Sequence, residues 1–135
     1  EAKTIPHGVA APVNMPKLMG FVFKNENAVV KISDHICGIN NGVFRLDGSE
    51  ADTEKYDIEI SSGHFMQFVE GYKSLAELAS EGKAVIENPS VAEELDKKYP
   101  KCKCFICDEY YSNFNRIRLT QRAIFGTALN IALFI

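Results

Sequence analysis

At 135 residues, with 46% hydrophobic and 24% charged side chains and a formal charge of −3, the chain has the size and composition of one globular domain with a sizeable core. A negative balance argues against a nucleic-acid surface, which shows a basic face. Residues 1–11 have no apolar core region and do not read as a secretory leader. A chain beginning on Glu1 is expected to be a piece cut from a longer, cytoplasmic protein.

Taken in order, residues 1–14 contain Pro6, Gly8 and Pro12, show no periodicity and read as a linker or lead-in. Residues 15–23 are apolar, with Pro16 placed for a first helical turn. A polar turn at 24–27 leads to a strand at 28–32. The loop at 34–42 ends in Asn41-Gly42, a strong turn signal, and residues 43–46 alternate like the returning strand of a hairpin. A polar loop, 47–55, precedes the central strand at 56–60.

The stretch from Asp57 to Gly82 organises the rest. Ser61 and Ser62 suit the N-cap of a helix on which Phe65, Phe68, Val69 and Tyr72 recur at helical spacing. Gly71 can close that helix in the left-handed conformation. Ser74 then starts a second helix, with Leu75, Leu78 and Ala79 inward, and Gly82 stops it. A brief strand at 84–86 and Asn88-Pro89-Ser90 lead into a helix over 91–99, where Val91 and Leu95 share a face and Pro100 ends the run. Residues 102–107 read as a last strand. The sum is an α+β fold, a small mostly antiparallel sheet with helices packed on it, over residues 15–111.

Three of the four cysteines, Cys102, Cys104 and Cys107, crowd into six residues. That is no disulfide framework, and one such cluster with no histidine near it in sequence offers too few ligands for a closed zinc site. Reduced cysteines beside Phe105 and Ile106 in a buried strand are expected, and no metal site. The extension at 112–135 has no acidic residue but carries Arg116, Arg118 and Arg122, which leaves −6 on residues 1–111. Residues 123–135 are uncharged and too few to span a bilayer as a helix. The extension is expected to be dispensable for folding of the domain, and to be covered by a neighbouring chain or folded back.

Three stretches carry a resemblance: VVKISDHICGINNGVFRL at 29–46, GYKSLAELASEGKAVI at 71–86 and CFICDEYY at 104–111. In this order and spacing they resemble the C-terminal domain of acetyltransferases of the enhanced-intracellular-survival type, a domain with the sterol-carrier-protein fold. Where that family often has a tryptophan, Ile39 or Asn40 stands here. The family's chains stop near the aromatic end, where the terminal carboxylate is a candidate proton acceptor, whereas this chain continues past Tyr111. The resemblance implies a non-catalytic accessory domain that shapes the acceptor site and the oligomer of an acetyl-CoA-dependent parent enzyme. Its partners would be N-terminal acetyltransferase domains and other copies of the parent, with no nucleic acid and no membrane span. The alternative is an autonomous carrier of a lipid or other hydrophobic ligand.

Candidate chemistry in the chain itself is sparse. No catalytic residue and no cofactor are expected within it. An acetyltransferase cradles the pyrophosphate of acetyl-CoA on amides at a helix start, and the nearest approach to that signature, Arg122 with Gly126-Thr127-Ala128, has one residue too many. His7, His35 and His64 are scattered, and Asp34 beside His35 does not form a dyad. For a hydrophobic ligand, the candidates to line an apolar pocket are Phe65, Phe68, Tyr72 and Leu75. Packing of the helices on the sheet explains the same spacing and is the preferred reading.

Overall fold

The computed structural model describes residues 11–102. Helix α1, Met15–Val22, is capped by Asn14, whose side chain accepts the Lys17 N–H, and it buries Met15, Leu18, Met19 and Val22 at helical spacing. Asn25, at φ 62°, turns the chain into β1, Val29–Ser33. Strand β2, Gly42–Arg45, returns antiparallel to β1, with Val30 opposite Phe44 and Ile32 opposite Gly42. The hairpin is as expected, but the Asn-Gly pair does not make a two-residue turn. Asn41 is extended at φ −79°, a short 3-10 turn spans Gly38–Asn40, and Gly42 already belongs to β2.

Strand β3, Ile58–Ser61, runs parallel to β1, and β4, Ala84–Ile86, runs antiparallel to β3. The sheet order is β2-β1-β3-β4, a mixed sheet whose one parallel pair lies at its centre. Alternation then sorts the side chains. Val30, Ile32, Phe44, Ile58, Ile60 and Ala84 face the core, while a row of Val43, Lys31, Glu59 and Val85 crosses the other face in register. Lys31 and Glu59 pair on that face at 3.0 Å.

Ser61 ends β3 and caps α2, Ser62–Val69, through its hydroxyl. The helix closes in a Schellman motif: Gly71 N–H donates to the Phe68 carbonyl (3.0 Å) and Tyr72 N–H to the Gln67 carbonyl (2.9 Å). Helix α3, Leu75–Ser80, opens on a capping box between Ser74 and Glu77. It closes the same way, Gly82 N–H reaching Ala79 and Lys83 N–H reaching Leu78. Both glycines adopt a positive φ, 74° at Gly71 and 71° at Gly82, which a Cβ would strain. At Gly71 a Cβ would also overlap the Cys102 sulfur. Helix α4, Pro89–Lys98, starts on its proline and ends on Lys97 and Lys98, cations suited to a helix C-terminus.

One core joins α1, the buried face of the sheet, α2, α3 and α4. The expected strand at 102–107 begins on Cys102, which lies outside any strand; its remainder, the pieces 1–10 and the extension 112–135 lie outside the described residues. Among the described residues no helix is long and apolar enough to cross a membrane.

Candidate functional site

The four candidates for an apolar pocket separate. Phe65, Phe68 and Leu75 are fully buried in the core, whereas Tyr72 is 47% exposed. Tyr72 has the spacing of the α2 face, but the helix ends at Val69 and the left-handed Gly71 turns the next side chain off that face. Phe65 and Phe68 lie among other rings. Phe23, from the end of α1, lies 5.9 Å from Phe65 and 6.0 Å from Phe68 between centroids, the latter nearly parallel. Phe65 and Phe68 are 6.0 Å apart, and Tyr99 meets Phe23 edge-on at 4.9 Å. These are the separations of aromatic side chains in direct contact.

The polar organisation rests on three aspartates, for none of which the sequence predicts these contacts. Asp34, just past β1, accepts from Asn40 Nδ2 (2.8 Å) and the Ser62 hydroxyl (2.9 Å) on one oxygen, and from the Ile36 and Cys37 N–H groups (2.8 Å each) on the other. Asn40 is completely buried; its Oδ1 accepts the Met15 N–H and its Nδ2 also donates to the Pro12 carbonyl. One carboxylate thus ties the β1–β2 loop to the starts of α1 and α2. Hydrogen bonds from Asn40 first, then from the Cys37, Ile36 and Ser62 groups, hold the Asp34 carboxyl well below the usual carboxylate range.

Asp57, before β3, accepts the Val29 N–H at 2.9 Å and Asn88 Nδ2 at 3.1 Å, joining the start of β1 to the start of α4. Asp96, on α4, accepts the Leu75 and Ala76 N–H groups at 2.8 and 3.1 Å, so an anion from one helix caps the next. Glu70 behaves oppositely to Asp34: burial at the end of α2 pushes its carboxyl up.

These caps bear on acetyl-CoA. A pyrophosphate needs free amides at a helix start. At α3 the carboxylate of Asp96 already stands there, and the oxygens of Asn14 and Ser61 occupy the same role at α1 and α2. The starts of α1, α2 and α3 are therefore taken by the chain's own oxygens, whereas Asn88 makes no side-chain cap at the start of α4. Arg122 and Gly126 lie outside the described residues. His35 is exposed on the loop after β1. His64 Nδ1 lies 2.9 Å from Ser61 Oγ, a contact that belongs to the α2 cap, where the same hydroxyl accepts the His64 N–H. His7 is outside the described residues.

The family model of the sterol carrier protein domain matches residues 17–102, well over half of the 135-residue chain. The chain belongs to the sterol carrier protein domain family. No curated protein and no solved structure matches it. The matched span contains all four described strands and all of α2, α3 and α4.

Proposed function

We propose that this sterol carrier protein domain is a non-catalytic accessory domain of an acetyl-CoA-dependent N-acetyltransferase, shaping the acceptor site and the oligomer of its parent. The observation that supports the non-carrier part is the ring packing: Phe23, Phe65 and Phe68 lie against one another at the positions of two candidate lining residues. The acetyltransferase context rests on the resemblance of residues 29–46, 71–86 and 104–111. The −6 balance of residues 1–111 suits an electropositive amine acceptor through steering and complementarity. The family itself favours a second reading, a carrier of a hydrophobic ligand.

In this reading the cofactor and the chemistry reside in N-terminal domains of the parent. The isolated chain should show no turnover of acetyl-CoA with a polyamine or an aminoglycoside. Titration calorimetry should detect no acetyl-CoA binding tighter than the millimolar range, about −4 kcal/mol. The coding sequence in frame ahead of Glu1 should specify an acetyltransferase fold. Turnover by the isolated chain, or a start codon directly ahead of Glu1, would contradict the proposal.

A further inference from the structure

The loop between β1 and β2 holds one side-chain amide in an unusual way. Asn41 is exposed, yet its Oδ1 accepts the Asp34 N–H at 2.7 Å and its Nδ2 donates to the Asp34 carbonyl at 2.7 Å. The amide grips both backbone groups of one residue, as a paired strand would. Asp34 is itself immobilised by its carboxylate, which holds Asn40, Ser62 and the next two free amides of the loop. The residue after Asn41 is Gly42, which has no side chain to shield its backbone nitrogen from the neighbouring amide carbon.

We propose that Asn41 is a deamidation site, and that the clamp on Asp34 restrains the reaction for as long as the loop stays closed. In the reaction the Gly42 nitrogen attacks Asn41 Cγ. A Cγ–N bond forms, the Cγ–Nδ2 bond breaks, and Nδ2 leaves as ammonia with the proton taken from the Gly42 amide. Water then opens the cyclic imide at either carbonyl, giving aspartate or isoaspartate. The net change is one water consumed and one ammonia released, with no oxidant or reductant. For the attack to begin, Cγ must swing from the Asp34 backbone toward Gly42, so both clamp bonds must break first.

The product cannot rebuild the clamp. An oxygen replaces Nδ2 opposite the Asp34 carbonyl, placing acceptor against acceptor, and the new negative charge adjoins the ionised Asp34 carboxylate. Isoaspartate also lengthens the backbone by one carbon just before Gly42, where the register with Ile32 begins. Loss of the clamp therefore loosens the loop that carries Ile36 and Ile39, 97% and 58% exposed, and weakens the hold of Asn40 on Met15 and Pro12. The step is one-way and marks chains whose loop has opened.

The test compares the full chain, folded and urea-unfolded, incubated at mildly alkaline pH. Peptide mass spectrometry follows conversion of Asn41 and an ammonia assay follows release. Two net hydrogen bonds guard the folded loop, so conversion there should be slower by roughly tenfold or more. Equal rates in the two states, or an unfolded chain in which Asn41 is spared while other asparagines convert, would overturn the proposal. In Asn41→Asp, amide hydrogen exchange over Ile36 to Asn40 should accelerate by a similar factor; unchanged exchange would refute the predicted consequence.

Discussion

Phe68→Ala is expected to destabilise the domain by about 3–5 kcal/mol, the range for removing a buried ring. Phe68 is 1% exposed and contacts Phe23, Phe65 and Tyr99. Its loss therefore leaves a cavity bounded by α1, α2 and α4, and stiff neighbouring rings can fill little of it. Urea denaturation should show a lower midpoint with a nearly unchanged slope. A change below about 1 kcal/mol would mean that the interior is loosely filled and would favour the carrier reading. Tyr72→Ala, at an exposed site, should stay within about 0.5 kcal/mol of the parent.

Asp34→Ala is the second large effect, expected at about 3 kcal/mol. The substitution orphans one donor of the fully buried Asn40, together with the Ser62 hydroxyl and two loop amides, and part of this is offset by water at the exposed side. The pH dependence has a definite sign. The folded-state pKa of Asp34 is depressed, so its contribution is fully present above the unfolded carboxylate value, near pH 4, and is lost as pH falls below it. Glu70 is raised by burial and costs stability as pH climbs from its unfolded value through its folded one. Asp34→Ala should therefore flatten the acid limb of the stability profile. An acid limb identical to that of the parent would refute the role assigned to this carboxylate.

Elements defined by nearest neighbours were legible in the sequence. Ser61 and Ser74 cap the helices assigned to them, Gly71 and Gly82 end them, and the four described strands lie within a residue or two of their expected positions. Contacts between distant residues were not. Asp34 and Ser62 are 28 positions apart, Asp57 and Asn88 31, Asp96 and Leu75 21. An aspartate at a strand end or on a helix looks like ordinary surface until topology brings its partners to it. The parallel pairing of β1 with β3 is likewise set by the crossover rather than by either strand. Tyr72 shows the limit of spacing arguments, because three residues of apparent helical phase do not survive a glycine in the left-handed conformation. The resemblance pointed to a sterol-carrier-protein-like domain, and the family match over residues 17–102 bears out that part; burial of Phe65, Phe68 and Leu75 agrees with the packing reading of their spacing.

We propose above all that this sterol carrier protein domain is a packed scaffold rather than a carrier. Native mass spectrometry of the purified chain, combined with displacement of a fluorescent fatty acid, addresses it most directly. A packed scaffold should retain no lipid and give no saturable displacement at micromolar ligand. One lipid retained per chain, with displacement weakened in Phe68→Ser, would contradict it.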